Sequence, residues 1–558
     1  MVALTAIGSR TILSGRSRVK QAHAAGDRAP MNSSRLRTPL AAATIFVLAL
    51  ALYLATASPT ITMRAGGVDG GELTATALSG GVLHPSGYPT YMLLARVALV
   101  LPWSEPAAGL VRLSGVFGAL AAASAAALVV RSVETPLPPK LDEERPPRPG
   151  CPLGEGRGIR STPHSPRGRP GRGDSALLAG LFTGFSLMLS ERFWSQALIV
   201  EVYTLHMFWL SLCALLWLGW LTGGNDYLLP VTAFCLGLGA GTHLTILILV
   251  PALAVATVSS GKLQGSWLRC GGMMGLAFLA GFSVYGLLPI WAARGATPSW
   301  GDQRTVGGLW AHVSGQEYRY LAGIVPWSQR IGRLSFAVRD LLLQPGLAGL
   351  ILAVGWGLPY CWRKQRPLAL ATGTVALGSL VFAISYGGAD GSVYLLPWTW
   401  AWCVWGGVGL FDLGRSLRLE RRTVTLLLIM IVAGSSIWLL TTQYRALDLS
   451  ADTTYRDQVI AQLEALPPAA ILVTDDDAET FGAWYAQHAL ELRPDVLVVD
   501  TRLLARAWYR VQLAQQLGLP DEAPLCVVLA QPKQPVFEAQ GTLVTRASAA
   551  LLTGDCSI

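Results

Sequence analysis

An apolar stretch, PLAAATIFVLALALYLATA (residues 39–57), and two polar stretches that follow it, VDGGEL (68–73) and HPSGYP (84–89), decide how this chain folds. About 20 apolar residues cross a bilayer as a helix, so the apolar stretch predicts a membrane span. The polar stretches combine carboxylates, a histidine, glycines and prolines where the chain would leave the membrane. Acidic side chains there are costly unless they are solvated or used, so this loop predicts a functional site.

The composition is that of a membrane protein. Of 558 residues, 52% are hydrophobic and only 14% are charged, whereas soluble domains carry about 25% charged residues. The net charge of +9 combines a basic first part with an acidic tail. From residue 445 onward there are 8 Lys/Arg and 15 Asp/Glu. This asymmetry indicates regions on opposite sides of a membrane and argues against a nucleic-acid binder.

Hydrophobic runs predict an α-helical polytopic membrane protein with about eleven transmembrane helices. The predicted spans are 39–57, 107–130, 175–190, 204–221, 227–241, 244–258, 271–290, 340–360, 368–386, 394–411 and 423–441. The segment 88–102 is apolar but short and contains Arg96, which is more typical of a helix lying at the membrane surface. The multispanning domain is therefore predicted over 39–441.

Lysine and arginine predict the orientation. The N-terminal segment 1–38 carries seven of them and is predicted to be cytoplasmic. Alternation then places the basic segments inside, and it places 58–106, 191–203, 291–339, 387–393 and the tail outside. The inside loop 136–175 is rich in Pro, Gly and Arg and is predicted to be disordered.

The tail, 442–558, is predicted to be a small extracytoplasmic α/β domain, because apolar strands alternate with helical stretches. Strands are predicted at 470–474, 495–499 and 525–530, and helices at 479–492 and 503–517. Asp475–Asp477 follow the first strand, where parallel sheets often bind ligands. An N-cap for the next helix explains the same residues. Cys526 and Cys556 have no metal-site spacing, and whether they pair stays open.

Asp69 and Glu72 have the spacing of a capping box, which by itself explains an acid pair at a helix start. The same spacing places both carboxylates on one face of a helix, where one could act as a general base. His84 and its glycine- and proline-rich turn favour the catalytic interpretation, because preorganised sites need rigid supports.

Other acids and histidines fall in the predicted outer loops. Glu201 and Tyr203 end the second outer loop, His243 lies between two spans, and Asp390 and Tyr394 lie before a Trp-rich span. Aromatic belts and structural histidines explain such residues one at a time. Together with Tyr88 they predict a substrate-binding pocket at the outer membrane surface.

Several motifs recur in this order in one family: VDGGEL (68–73), HPSGYP (84–89), FWSQ (193–196), EVY (201–203), RPDV (493–496) and AWY (507–509). The chain resembles, from about 40 to 520, a large family of multispanning proteins long known only as a domain of unknown function and related to protein O-mannosyltransferases of the GT-C superfamily. The family usually has Pro at position 86 and often Ser at position 70, where this chain has Ser86 and Gly70. Neither difference removes a titratable group.

The resemblance implies a GT-C-like membrane glycosyltransferase that takes a sugar, for example mannose, from a polyprenyl-phosphate donor. The catalytic carboxylate carries over to Asp69, with Glu72 as the alternative. The leaving phosphate needs cationic or hydrogen-bonding groups, for which His84, Arg64, Arg96 and His243 are the candidates. The acceptor is a hydroxyl of a protein, a glycan or a lipid. No metal ligands are assigned, and weak dependence on a divalent metal stays open.

Two other classes are compatible with such a chain: a flippase or transporter of lipid-linked sugars, and a non-catalytic scaffold for envelope assembly. A transporter normally places its charges in mid-span and in paired repeats, which this sequence lacks. We expect an integral protein of a bacterial plasma membrane, with a cytoplasmic N-terminus and an extracytoplasmic C-terminal domain.

Overall fold

A computed structural model describes residues 34–135, 172–223, 225–262, 267–341, 343–388, 390–519, 534–541 and 543–547. The described part is mostly helical. Its helices are α1 (Ser34–Thr56), α2 (Gly70–Ser79), α3 (Pro89–Ala98), α4 (Pro106–Glu134), α5 (Arg172–Met188), α6 (Glu191–Gln196), α7 (Tyr203–Gly223), α8 (Leu228–Ala240), α9 (Leu249–Ser260), α10 (Trp267–Phe282), α11 (Leu287–Ala292), α12 (Val306–Val313), α13 (Trp327–Asp340), α14 (Gly346–Leu352), α15 (Leu358–Lys364), α16 (Arg366–Ser385), α17 (Leu396–Ser416), α18 (Arg421–Leu447), α19 (Thr454–Glu464), α20 (Asp477–Ala489) and α21 (Ala507–Gln516).

Six helical segments of the described residues are long and apolar enough to cross a membrane. They are Leu36–Thr56, Pro106–Glu134, Tyr203–Gly223, Cys270–Ala292, Arg366–Ser385 and Arg421–Leu447. The chain is therefore an integral membrane protein. Each of the eleven predicted spans overlaps a helix, but several of those helices are short, and the count of eleven stays a prediction.

Two predicted boundaries, those of the 340–360 span and of the 136–175 loop, were wrong. The span predicted at 340–360 begins only at Gly346, because α13 ends at Asp340 and Pro345 prevents one continuous helix. The loop predicted over 291–339 contains α12 and α13. The loop predicted to be disordered over 136–175 ends earlier, since α5 begins at Arg172, and residues 136–171 lie outside the described part.

Helices α1, α4, α5 and α7 pack closely because their contact faces carry small residues. Gly118 of α4 faces Ala197 and Tyr53, and an added Cβ there would lie 3.1 Å from each side chain. Gly180 of α5 approaches Val130 of α4 still more closely. Small residues let helix backbones approach in this way inside membranes. The bundle thus gives the outer loops a rigid support.

The tail contains a four-stranded sheet in the order β2-β1-β3-β4. The strands are β1 (Ile471–Thr474), β2 (Leu497–Asp500), β3 (Val536–Gln540) and β4 (Leu543–Arg546). Strands β2 and β3 both run parallel to β1, and β4 is antiparallel to β3. The first two predicted strands lie at β1 and β2, whereas β3 and β4 were missed. The strand predicted at 525–530 and both tail cysteines lie outside the described residues.

The tail and the first outer loop share one hydrophobic core. It includes Leu73 and Tyr91 of the loop together with Phe481 and Tyr485 of α20. The contact is close at Gly71, where an added Cβ would lie 2.4 Å from the carbonyl oxygen of Phe481. The hydroxyl of Thr60 donates a hydrogen bond to Glu105 at 2.7 Å, and Tyr485 donates to the same carboxylate. The first outer loop is thus packed under the tail.

Candidate active site

The acid pair of the first outer loop is not a capping box. Asp69 precedes α2 with α-helical dihedral angles (φ −71°, ψ −12°), and its side chain makes no capping hydrogen bond. Its backbone follows a tight turn, Arg64–Asp69, and cannot adopt the extended form of an N-cap. Glu72 is buried in the first turn of α2 and accepts hydrogen bonds from His84 instead. The capping interpretation of this pair was wrong.

His84 and Glu72 form a buried ion pair. The carboxylate of Glu72 accepts from the His84 backbone N–H at 2.9 Å and from Nδ1 at 2.5 Å. Burial alone would lower the pKa of His84, but Glu72, with smaller help from Asp69 and Glu201, raises it to about 10. The protonated ring donates its second hydrogen, on Nε2, to the Tyr88 hydroxyl at 3.0 Å.

Of the two acids, Asp69 has the more accessible carboxylate. Its side chain is 37% exposed, and Oδ2 lies 3.9 Å from Nε2 of His84. Desolvation raises the pKa of Asp69 to about 6, and the positive charge on His84 only partly opposes that shift. A carboxylate with a pKa near the working pH, next to a fixed cation, is suited to accept a proton from a bound hydroxyl.

A group of aromatic rings connects Asp69 and His84 to the other residues that were predicted to bind substrate. The ring of Tyr88 stacks on His243 with centroids 6.0 Å apart. His243 in turn lies 5.7 Å from the ring of Tyr203 and 5.6 Å from that of Tyr394. Both tyrosines donate hydrogen bonds of 3.1 Å to Asp390. Residues predicted in four separate outer segments therefore meet in one place.

One member of this group is uncharged, and the carboxyl of Glu201 nearby has a raised pKa. Burial, and secondarily the charge on His84, lower the pKa of His243 to about 4, so its ring is neutral at pH 7. Burial raises the pKa of Glu201 well above its usual range, and the nearby Asp69 adds to that shift. Glu201 accepts a hydrogen bond from the Val202 N–H at 3.0 Å. His243 can therefore donate a hydrogen bond to a phosphate but supplies no charge.

Residues of the 291–339 segment hold the His84 turn, and the sequence analysis missed them. Ser299 accepts from the Val82 N–H at 3.1 Å, and His312 Nε2 lies 3.0 Å from the Leu83 carbonyl oxygen. Gly87 has a left-handed φ of +87°, and a side chain there would strike Leu288. These contacts fix the conformation of the turn that carries His84. No sequence motif marks Ser299 or His312, because the atoms that they contact in the turn belong to its backbone.

Trp300 and Tyr318 also flank His84, at ring-centroid distances of 6.1 and 6.3 Å. On its other side Trp300 meets Trp508 of the tail at 5.4 Å and Phe481 at 6.4 Å. The tail therefore contacts the partners of His84 through one buried indole, Trp300. Exposed Asp477 of α20 contributes a further negative charge that raises the pKa of Asp69.

The two arginines predicted to bind phosphate are engaged elsewhere. Arg64 is exposed and donates to the carbonyl oxygen of Ala446 at 2.6 Å. Arg96 donates to the Gly81 carbonyl at 2.8 Å, and its guanidinium lies 4.0 Å from the centroid of the Trp291 ring. Among the described contacts, neither guanidinium touches His84 or His243.

The acidic stretch of the tail does cap a helix. Asp476 has extended dihedral angles and accepts from the Glu479 N–H at 2.7 Å. Carboxylate oxygens of Asp475, Asp476 and Glu479 lie within 4.8 Å of one another, which is a spacing that could hold a metal ion. This exposed group is separate from His84, and within the described part of the chain the site itself offers no comparable set of three ligands.

A cavity of about 460 Å³ lies in the tail, away from Asp69. It is bordered by the 297–298 turn and the starts of β1 and β2. Its described lining combines aliphatic side chains with four glutamines, and its acid, Asp495, pairs with Arg493 and not with His488. The chemistry is therefore better assigned to the group around His84.

Sequence comparisons agree with the motif resemblance. Residues 69–265 match the family model described as the Protein O-mannosyl-transferase TMEM260 N-terminal domain. Residues 455–531 match the model of TMEM260-associated domain 2. The mouse (Mus musculus) Protein O-mannosyl-transferase TMEM260 is 25% identical over 490 residues, which cover 81% of this chain. The matched region spans only 62% of the mouse protein's length.

Among solved structures, the mycobacterial arabinofuranosyltransferase AftD aligns with 92% of this chain and 36% of its own. The TM-score is 0.46 and the sequence identity is 13%. The motif resemblance is thus confirmed by the family models and the curated relative.

Proposed function

Because this chain is a relative of the protein O-mannosyltransferase-like family, we propose that it is a GT-C-type membrane glycosyltransferase. It would move a sugar from a polyprenyl-phosphate donor to a hydroxyl acceptor on the extracytoplasmic face, with Asp69 as general base. The observation that carries the proposal is the accessible Asp69 carboxylate beside the buried His84–Glu72 ion pair. The donor, the acceptor and the protein's orientation all belong to the proposal.

The chemistry assigned to Asp69 is proton removal. As the acceptor oxygen bonds to the anomeric carbon, its proton passes to Oδ1 or Oδ2 of Asp69. The bond between that carbon and the phosphate oxygen breaks, and the lipid phosphate leaves with the electron pair. A base of pKa about 6 is largely ionised at pH 7 and still basic enough to assist.

We place His84 on the same face of the sugar as the base, Asp69. Its Nε2 lies 3.9 Å from Asp69, and an inverting displacement needs the base and the leaving phosphate on opposite faces of the sugar. We therefore place the phosphate toward His243, whose neutral ring can donate a hydrogen bond. Asp390 is the carboxylate on that side. Its hydrogen-bond partners are two tyrosines, and among the described residues it belongs to no set of three metal ligands.

The test of the proposed base is Asp69→Asn in the full-length protein, reconstituted in lipid with a radiolabelled polyprenyl-phosphate sugar. Turnover should fall by about 10²–10⁴-fold, the usual worth of a positioned base. The protein should remain at least as stable, because an ionised carboxylate with a raised pKa opposes folding at pH 7.

Asp476→Asn is the matched control, since it makes the same change at an acid beside a helix N-terminus. Asparagine caps as well as aspartate, so its turnover should stay within about twofold of the wild type. Normal sugar transfer by Asp69→Asn would assign the base elsewhere. Donor uptake without any transfer by the wild type would favour the transporter alternative.

The proposed orientation has its own test. Reporter fusions placed after Arg363 and after the tail should report opposite sides of the membrane, because the positive-inside pattern assigns Arg363 to the cytoplasm. Two reporters on the same side would contradict the orientation while leaving the catalytic assignment intact.

A further inference from the structure

Helix α13 carries an apolar stripe that stays exposed among the described residues. The stripe consists of Trp327, Ile331, Leu334 and Val338. These side chains are 40% to 76% exposed. Because successive members are three or four residues apart, they lie along one side of the helix. We call these four residues the α13 stripe. A contiguous apolar surface of this kind marks a place where another apolar phase is contacted.

Contacts at both ends hold α13 in place. Shortly before the helix, the Gly323 N–H donates to the carbonyl oxygen of Ser385, the last residue of α16, at 3.1 Å. At the end of the helix, Asp340 forms a buried ion pair with Arg192 of α6, with 2.5 Å between Oδ2 and Nη1. A rotation of α13 that buried the stripe would break these contacts. The stripe is therefore held on the outside of the bundle.

The same contacts place α13 at one end of a membrane span. Helix α16 is long and apolar enough to cross a bilayer. Ala337 of α13 packs with Leu380 and Ala383 near the end of α16. On that part of α16, Leu377 and Val381 are 61% and 51% exposed, and apolar side chains exposed on a span face lipid. The α13 stripe therefore lies at the level where α16 leaves the bilayer.

The chemistry of α13 fits a helix that lies in the plane of the membrane surface. The stripe begins with an indole, and Trp is enriched at membrane–water interfaces. The guanidinium of Arg330 lies 4.8 Å from the centroid of the Trp327 ring. On the side of the helix opposite Ala337 are the exposed polar residues Ser328, Ser335 and Arg339. Helices of this kind bury their apolar side at the boundary between headgroups and acyl chains.

We propose that the α13 stripe inserts into the phospholipid bilayer at this boundary. Lipid is its partner because the stripe continues the lipid-facing surface of α16. The segment before α13 contains His312, which contacts the turn of His84, and Tyr318, which flanks the His84 ring. Lipid contact at α13 thus holds the segment that borders the candidate active site against the membrane. The contact would exist whether or not the protein transfers sugar.

Photocrosslinking of the full-length protein in lipid nanodiscs tests this contact. A diazirine amino acid replaces Ile331 or Gln329 in separate variants, and Val381 of α16 in a third variant that serves as the lipid-facing reference. Gln329 is exposed but lies about 200° around the helix from Ile331, since each residue turns an α-helix by about 100°. The nanodiscs contain phosphatidylcholine and phosphatidylglycerol, and mass spectrometry identifies the adducts.

We expect the yield of lipid adduct at position 331 to approach that at position 381, whereas position 329 should give mainly adducts with water. A lipid yield at position 331 no higher than at position 329 would overturn the lipid contact. Predominant cross-links from position 331 to protein, within the chain or in a second copy, would overturn it too, because the stripe would then have a protein partner.

Hydrogen exchange in the same nanodiscs provides a second measurement. Ile331→Glu should accelerate the exchange of the α13 backbone amides by about tenfold, because the loss of one buried isoleucine side chain weakens a contact by a factor of that order. Gln329→Glu is the matched control, since it introduces the same charge on the same helix away from the stripe. It should change the exchange by no more than about twofold, as expected for a surface substitution. Equal acceleration in both variants, or none in Ile331→Glu, would overturn the proposal.

Discussion

Two acidic stretches of this chain, Asp69–Glu72 in the first outer loop and Asp475–Asp477 in the tail, precede helices and suit N-capping equally well. In the tail, Asp476 is extended (φ −135°, ψ 165°) and caps α20. In the loop, Asp69 is already helical and Glu72 turns inward to His84. Whether an acid caps a helix thus depends on the backbone before it and on the partners brought by distant segments.

The two acidic stretches should differ most at their glutamates, Glu72 in the loop and Glu479 in the tail. Glu72→Gln should lower the free energy of unfolding by about 3 kcal/mol, because it leaves protonated His84 without its buried counter-ion. Turnover should also fall, but by less than in Asp69→Asn, since Glu72 is buried and cannot reach an acceptor. Stability is measured by reversible denaturation in detergent at pH 7.

Glu479→Gln is the counterpart in the tail. The Glu479 side chain is only partly buried and accepts from the Gly541 N–H at 3.0 Å, which a glutamine oxygen can also do. Its effect on stability should be within about 0.5 kcal/mol. Equal losses in the two variants would show that the buried pair has no special role.

The pH dependence of stability should come next in size. The folded-state pKa of His84, about 10, lies above its unfolded value of 6.5. The stabilisation from its protonation is therefore fully present below about pH 6.5 and is lost as the pH rises toward 10. This loss includes the attraction to Glu72, which Glu72→Gln also removes, together with smaller attractions to Asp69 and Glu201.

Unfolding midpoints measured from pH 6 to 10 check this dependence. His84→Gln should remove the part of the decline that belongs to the ion pair. A wild-type decline that persists unchanged in His84→Gln would assign it to other groups.

The smallest expected effect concerns capping itself. Asp476→Ala should cost about 1 kcal/mol of stability, the usual worth of an N-cap, with little change in turnover. Asp69→Ala should lose no capping energy, since Asp69 makes no such bond. Thermal midpoints of the two alanine variants, compared with the wild type, decide this. A larger loss of stability in Asp69→Ala would restore the capping interpretation.

The sequence predicted which segments carry the site better than it predicted the contacts within it. Asp69, His84, His243 and Asp390 fall in predicted outer loops, and hydropathy places those loops at one end of the bundle. The partners of His84 were harder to predict, because Trp300 and Tyr318 lie more than 200 residues further along and carry no motif. Arg64 and Arg96 were assigned to phosphate on charge alone, whereas in the structure each donates a hydrogen bond to a backbone carbonyl.

The strands of the tail were likewise predicted only in part. Strands β1 and β2 are apolar runs that hydropathy identifies. Strands β3 and β4 are mixed in polarity and only partly buried. Such strands depend on pairing with a neighbour, which a local pattern does not reveal.

The core shared by the first outer loop and the tail has a consequence for how the protein matures. Thr60 and Tyr485, which meet at this contact, are 425 residues apart in the chain. The loop emerges early in synthesis, and its apolar surface around Leu73 has to wait for α20. Contacts between such distant residues form late and slowly. The first outer loop therefore completes its packing only after α20 has been made and has reached the loop, so a chain that ends before α20 should leave this apolar surface uncovered.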